Sequence, residues 1–217
     1  MKNKLAVLAA LLLFCGCGND NFRVKDIRFD GIVNSDPNWV ASNFTELKGK
    51  NILACDPDPA VEKVKKNPYV KDVFYLKVLP STLDVKIVEK NVSGFTVISG
   101  KACNILEDGS IVSGSNKEGI EFNFNMEVKR EYTAYVLRKI SESGLNPVRC
   151  VIEENEVDIV LNDGFTVKLD KGMKEIEKTG HLDIIRNEIT PKEGRTITGL
   201  DLRFKDLGIL ISGGGNE

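Results

Sequence analysis

Few residues in this 217-residue chain combine the types and spacing that catalysis or metal binding requires. The single histidine, His181, has no serine or cysteine partner in a recognisable motif, so we predict a surface position for it. Glu153 and Glu154 are adjacent, which is typical of a solvated turn rather than of two carboxylates facing each other across a cleft. Asp56 and Asp58 flank prolines, as residues at helix starts do, and the EF-hand spacing is absent. We therefore predict no catalytic residue, no cofactor and no metal site, and a protein that is not an enzyme.

The five cysteines also lack the spacing of a metal or redox motif, because no two of them form a C-x-x-C pair. Cys15 and Cys17 lie in the N-terminal leader, which leaves three cysteines in the body of the chain. An odd number allows at most one disulfide there. The sequence leaves two alternatives, a bridge between Cys103 and Cys150 or three separate thiols, and it favours the thiols.

The charge balance excludes one large class of partners. Lys and Arg total 30 against 32 Asp and Glu, giving a formal net charge of −2. Nucleic-acid binding usually requires a basic surface, so we expect no nucleic-acid partner, and no motif indicates a small-molecule substrate. Hydrophobic residues at 41% and charged residues at 29% are typical of a folded chain with one or two domains.

The first 20 residues have the pattern of an export signal. Lys2 and Lys4 precede an apolar run of 13 residues, positions 5–17. A membrane-spanning helix needs about 20 apolar residues, so the run fits a signal peptide better. Gly16-Cys17 resembles a lipobox, so we predict lipidation at Cys17 and an anchor in the cytoplasmic membrane. An uncleaved short membrane anchor and simple secretion are the alternatives, and all three place the body in the periplasm.

The next 70 residues predict a small unit in the order strand, helix, helix, strand, strand. A strand is expected at residues 22–29, a helix is expected to open at Asp36-Pro37, and a second helix is expected to follow residues 56–59. Apolar alternation then predicts two strands joined by a turn at residues 80–82. The alternating residues are Phe74, Leu76 and Val78 in one strand and Leu83, Val85 and Ile87 in the other.

The second half predicts a larger, sheet-rich unit with two helices. The helices are expected at residues 127–143, ending at Gly144, and at residues 174–189. The expected strands are residues 95–98, 102–106, 111–112, 148–152, 157–161 and 165–169, followed by a closing strand at residues 200–204. The whole chain is therefore predicted to have an α+β fold.

The closing strand carries the most interesting pattern. Leu200, Leu202 and Phe204 alternate with Asp201 and Arg203, so one face is expected to be apolar and the other charged. The chain nearly ends there, and no later strand is expected to cover this one. An uncovered strand edge either aggregates or binds a partner. The pattern alone does not decide between an exposed face and a docking edge.

Taken in order, these segments resemble the FtsQ/DivIB family of bacterial cell-division proteins. The resemblance extends over about residues 22–211 and depends on the order and spacing of its parts. The segments that carry it are residues 24–31, 67–73, 79–83, 87–90, 103–109 and 162–169, and the closing Leu200-Asp201-Leu202-Arg203-Phe204.

The resemblance implies a POTRA domain at residues 22–91, a β-domain at residues 92–211 and a flexible tail at residues 212–217. It also implies a non-enzymatic scaffold of the division machinery that binds membrane proteins like FtsB and FtsL through an exposed β-edge. The residues it points to are Arg203, Phe204, Leu207, Gly208, Ile209 and Ile211. The alternative is a POTRA-containing lipoprotein of envelope assembly or transport.

Overall fold

A computed structural model describes residues 20–114, 117–185 and 196–212 of the chain. The chain divides into two compact units, Met1–Lys90 and Asn91–Glu217. Cys17 and most of the predicted tail lie outside the described residues. No helix in the described part is long and apolar enough to cross a membrane.

The first unit has the predicted order of elements. They are β1 (Asp26–Asp30), α1 (Pro37–Phe44), α2 (Asp58–Val64), β2 (Val70–Val78) and β3 (Thr82–Glu89). The three strands form one sheet in the order β1-β3-β2, in which β1 is parallel to β3 and β2 is antiparallel to it. Because β3 is central, it contributes the buried residues Leu83, Val85 and Ile87.

The start of α1 follows from its local sequence. The Asp36 carboxylate accepts a hydrogen bond from the Asn38 amide at 2.8 Å, and Pro37 occupies the first turn. Val40 and Phe44 lie four residues apart on the buried face of α1. Both features were predicted, and the structure confirms them.

The predicted strand at residues 22–29 is shorter than expected. Asp20–Phe22 form a 3-10 turn, Arg23 makes an isolated bridge to Asn51, and regular pairing begins only at Asp26. The interruption arises because residues 22–24 bond to the chain around Asn51, whereas β1 bonds to β3.

The apolar stripe of β2 points away from the core. Phe74 is 55% exposed and Leu76 is 64% exposed, whereas Val73 is buried. Tyr75, on the same face as Val73, donates a hydrogen bond from its hydroxyl to Asp58 of α2 at 3.0 Å. The strand is apolar on both faces, so alternation predicts its extended form but does not identify which face is buried.

The second unit contains a nine-stranded sheet and one long helix. The elements are β4 (Val92–Ile98), β5 (Lys101–Leu106), β6 (Ile111–Ser113), β7 (Ile120–Phe124), α3 (Arg130–Ser143), β8 (Pro147–Ile152), β9 (Glu156–Leu161), β10 (Thr166–Asp170), β11 (Ile197–Phe204) and β12 (Leu207–Ser212). The sheet order is β12-β11-β10-β9-β8-β7-β4-β5-β6. The sequence predicted neither β7 nor β12, and Ser212, expected in the tail, is the last residue of β12.

The core of this unit lies on the sheet face that α3 covers. Val136 and Ile140 of α3 are buried in one cluster with Phe122, Ile152 and Ile159 of three strands. The helix is followed by Gly144 at φ +71°, the left-handed conformation that was predicted to stop it.

The second predicted helix is much shorter than expected. Residues Ile176–His181 form a 3-10 helix, and only Leu182–Ile184 form a turn of α-helix. Gly180 falls within this segment, and a glycine weakens a helix interior. The predicted positions 186–189 lie outside the described residues.

The three body cysteines are free thiols. Cys103 lies on β5 and Cys150 on β8, with β4 and β7 between them. At about 4.8 Å for each strand step, the two cysteines are roughly 14 Å apart, too far for a disulfide. The bridge alternative is therefore wrong. Burial raises the pKa of Cys150 to about 12.

Candidate partner-binding edge

The last two strands form a hairpin at one end of the nine-stranded sheet. β12 runs antiparallel to β11, with Asp201 opposite Ile209 and Phe204 opposite Leu207. The chain reverses at residues 205–206, where Asp206 has φ +61°. The prediction that β11 is an uncovered edge is therefore wrong, since β10 covers one side of it and β12 covers the other. The edge of the sheet is β12.

The hairpin exposes three apolar side chains on one face, which we call the hairpin stripe: Phe204, Leu207 and Ile209. They are 48%, 54% and 43% exposed, respectively. Leu207 and Ile209 are two residues apart on β12, and Phe204 is the cross-strand partner of Leu207, so all three point the same way. Within the part of the chain that the structure describes, no strand pairs with the far side of β12.

The opposite face of β12 attaches the hairpin to the core. Leu210 packs against the buried cluster that contains Leu200 and Leu202. A Cβ atom added at Gly208 would lie 3.3 Å from the side-chain ends of both Leu200 and Leu202. One face of β12 is therefore held against the core, while the other face and the outer edge are accessible.

Arg203 is held on the sheet by two carboxylates. Its guanidinium donates to Asp201 through Nε at 3.0 Å and through Nη2 at 2.6 Å, and it also donates to Glu156 of β9. These bonds hold the pKa of the Asp201 carboxyl below its usual range, while the same carboxylates raise the pKa of Arg203. Arg203 thus connects β9 to β11.

A second cation extends this network across the sheet. Lys168 of β10 lies between its cross-strand partners Asp158 and Asp201, and its Nζ bonds to Asp158 at 2.6 Å. That bond raises the pKa of Lys168. The sequence analysis missed Glu156, Asp158 and Lys168. These residues could have been noticed as charged residues at every second position of predicted strands. That pattern does not predict which charged residues become neighbours in the sheet.

The described residues provide little for metal binding or catalysis. No group of three or more His, Cys, Asp and Glu residues among them could hold a metal ion. His181 is exposed at the end of its 3-10 helix. A cleft of about 720 Å³ opens beyond the point where β4 and β7 stop pairing, and its polar lining includes Asn123, Asn125 and Glu127.

Comparison with known proteins identifies the first unit and relates the chain to cell division proteins. A family model of the POTRA domain, FtsQ-type, matches residues 22–90. The cell division protein FtsQ of Rickettsia bellii is 26% identical over 195 residues, which cover 85% of this chain and 70% of the relative. These two matches support the FtsQ/DivIB family for this chain. Its first unit matches the FtsQ-type POTRA domain, as the sequence resemblance implied.

Two DivIB relatives match a shorter part of this chain. The cell division protein DivIB of Clostridium botulinum is 28% identical over 112 residues, covering 47% of this chain and 43% of the relative. The DivIB of Staphylococcus aureus is 27% identical over 120 residues, covering 50% of this chain and 27% of the relative. The chain therefore covers less than half of the length of each of these two relatives.

Proposed function

We propose that this protein is a non-enzymatic scaffold of bacterial cell division that binds membrane proteins of the division machinery through strand β12. The observation that carries the proposal is the position of β12 at the edge of the nine-stranded sheet, with the hairpin stripe exposed beside it. The mechanism is β-augmentation, in which an incoming strand pairs with the main chain of the edge.

The hairpin supplies both parts that this mode of binding needs. The outer N–H and C=O groups of β12 provide the main-chain ladder, and alternate side chains provide specificity. Phe204, Leu207 and Ile209 form the apolar contact, while Gly208 and Ile211 keep the strand seated on β11. By family resemblance, the partners are membrane proteins like FtsB and FtsL.

Arg203 has an indirect role in this proposal. Its guanidinium is already engaged by Asp201 and Glu156, so an approaching strand meets an ion pair instead of a free cation. Arg203 is therefore a positioning residue that holds β11 in register. The partner contacts come from the hairpin stripe and the backbone of β12.

The proposed location is the outer face of the cytoplasmic membrane, with the N-terminal leader as anchor, through a lipid on Cys17 or through the apolar run itself. The alternative of an envelope-assembly or transport lipoprotein has less support. All the relatives described above are named cell division proteins.

The test places proline at two successive positions of β12. In an antiparallel strand, successive residues direct their N–H groups to opposite sides, so either Ile209 or Leu210 donates outward and the other donates to β11. Proline removes a single donor in each variant. We expect the variant that loses the outward-directed N–H group to keep the wild-type melting temperature. The same variant should no longer capture the division partners from detergent-solubilised membranes.

Val112→Pro is the matched control, because Val112 lies on β6, the edge strand at the other end of the same sheet. It should capture partners as wild type does. The proposal is wrong if both β12 variants fold and still capture the partners, or if the Val112→Pro variant loses them equally.

A further inference from the structure

One end of the POTRA sheet gathers the start of the domain and two of its loops. β1 and β3 are parallel and both begin at this end, and the antiparallel β2 finishes there. The Lys25 amide donates to the Ser81 carbonyl at 2.8 Å, so the entry of the chain lies beside the β2–β3 turn. The leader therefore joins the domain at this end.

A third segment closes the same surface. The Val24 amide donates to the Lys50 carbonyl at 2.9 Å, and the Ile52 amide donates to the Phe22 carbonyl at 2.7 Å. Lys77, near the end of β2, donates from Nζ to the Cys55 carbonyl at 2.6 Å. We call these three segments, residues 22–25, 48–55 and 77–81, the leader-proximal rim.

The rim presents apolar side chains among lysines. Leu53 and Leu79 are 59% and 55% exposed, although both are large aliphatic residues in loops. Lys25, Lys48 and Lys50 belong to the same segments and are also exposed. Aliphatic side chains with nearby cations are the chemistry of a surface that rests on anionic headgroups and inserts between them.

Carboxylates flank the rim but do not interrupt it. Asp26 follows Lys25 at the start of β1, Glu46 lies in the 3-10 turn that precedes Lys48, and the exposed Asp56 follows Cys55. With a formal net charge of −2, the chain has no overall attraction for anionic lipid. An attraction must therefore come from the local arrangement of lysines together with the two leucines.

The length of the leader keeps the rim close to any membrane that the leader enters. Five peptide steps separate Cys17 from Phe22, whose carbonyl is fixed in the domain. A fully extended chain covers at most about 3.4 Å per residue, so the rim lies within roughly 17 Å of a lipid on Cys17. If the apolar run itself is embedded up to Phe14, the limit is roughly 27 Å.

We propose that the leader-proximal rim docks on an anionic phospholipid surface, with Leu53 and Leu79 at the headgroup boundary and Lys25, Lys48 and Lys50 against the phosphates. This inference rests on the membrane anchoring in the proposed function, but not on its division partners. Docking supplies a second attachment beside the leader. It also fixes which end of the POTRA domain faces the membrane.

The experiment uses the full chain reconstituted in vesicles of phosphatidylcholine with phosphatidylglycerol, some of it brominated to quench tryptophan. The natural Trp39 is replaced by phenylalanine, and one new tryptophan is introduced as Leu79→Trp or as Val33→Trp. Val33 is 80% exposed near the opposite end of the sheet, where the Asn34 amide bonds to Glu89 at the end of β3. We expect strong quenching for Leu79→Trp and little for Val33→Trp.

A second pair of variants tests the charges, and each variant loses the same number of positive charges. Lys48→Gln with Lys50→Gln should abolish the quenching of the tryptophan at position 79, because each lysine near the surface contributes about a fivefold gain in affinity. Lys63→Gln with Lys66→Gln is the control, since these lysines lie towards the end of α2 that leads to the start of β2. It should leave the quenching unchanged.

Each other result has a distinct meaning. The docking of the rim is overturned if the tryptophans at positions 33 and 79 are quenched equally. It is also overturned if the tryptophan at position 79 is not quenched in vesicle-bound protein. Quenching that is the same in pure phosphatidylcholine overturns the role of the anionic lipid. Protein that does not sediment with any vesicle refutes the anchor itself. Partner capture through β12 is measured separately, so its failure does not affect this result.

Discussion

Gly199 and Gly208 lie on facing strands of the hairpin, and their replacement by alanine should have different effects. A Cβ atom at Gly199 would lie 2.6 Å from the Thr166 carbonyl oxygen of β10, a distance that real Cβ contacts essentially never show. That obstacle is backbone, so β10 and β11 would have to separate by several tenths of an ångström. A Cβ atom at Gly208 would meet only the flexible ends of Leu200 and Leu202, at 3.3 Å.

The magnitudes follow from these contacts. Overpacking against fixed structure costs about 1–3 kcal/mol, and removing a glycine from a strand returns roughly 0.5–1 kcal/mol. We therefore expect Gly199→Ala to lower the free energy of unfolding by about 1–2 kcal/mol, and Gly208→Ala to leave it unchanged or raise it slightly. At about 4 °C per kcal/mol, Gly199→Ala should lower the melting temperature by roughly 4–8 °C.

The measurement is thermal and urea unfolding followed by far-ultraviolet circular dichroism. Tryptophan fluorescence is unsuitable, because the only tryptophan, Trp39, lies in α1 of the other unit. The reasoning is refuted if Gly199→Ala is as stable as wild type, or if both alanine variants lose the same stability. Equal losses would mean that the close approach of β11 to the Thr166 carbonyl does not control the packing of the hairpin.

Three further predictions concern ionisation and cysteine chemistry. Because Arg203 lowers the folded pKa of Asp201, the stability from this pair is present above the unfolded pKa of about 3.9 and is lost as pH falls through the folded value. Asp201→Asn should therefore flatten the loss of stability that urea titrations measure between pH 5 and pH 2, and an unchanged slope would contradict the ion pair. Iodoacetamide should label Cys103 in the native protein, but it should label the buried Cys150 only after denaturation. Peptide mass spectrometry measures both reactions, and labelling of Cys150 in the native protein would mean that β8 opens. Cys17→Ser should release the protein from membranes or leave its precursor uncut, whereas unchanged mass and membrane retention would favour an uncleaved anchor.

Features that depend on neighbours along the chain were predictable. The start of α1 at Asp36 and the stop of α3 at Gly144 each depend on residues within one helical turn. The buried face of β3 was visible as the alternation of Leu83 with Val85 and Ile87, because charged or polar residues separate them. The family resemblance then placed these elements in order.

Features that depend on distant segments were not predictable. The alternation in β2 correctly indicated a strand, but Phe74 and Leu76 are exposed because Val73 occupies the core side. The strand β12 was missed because residues 205–206 carry no Asn-Gly or Asp-Gly turn signal. It forms by pairing with the side of β11 that β10 does not cover, and local sequence does not reveal that side.

The sequence by itself predicted an α+β chain with a small first unit and a sheet-rich second unit, because periodicity, caps and turn residues are local properties. The resemblance to the FtsQ/DivIB family then implied that the first unit is a POTRA domain. It also predicted a docking edge near the C-terminus, which stays a prediction, and it assigned the free edge to the wrong strand. Only the tertiary structure placed Arg203 between Asp201 and Glu156, and only it gathered Leu53 and Leu79 on one rim. The physical reason is the same in both cases: salt bridges and surface patches join residues that are far apart in sequence, so pairing between strands decides which side chains become neighbours.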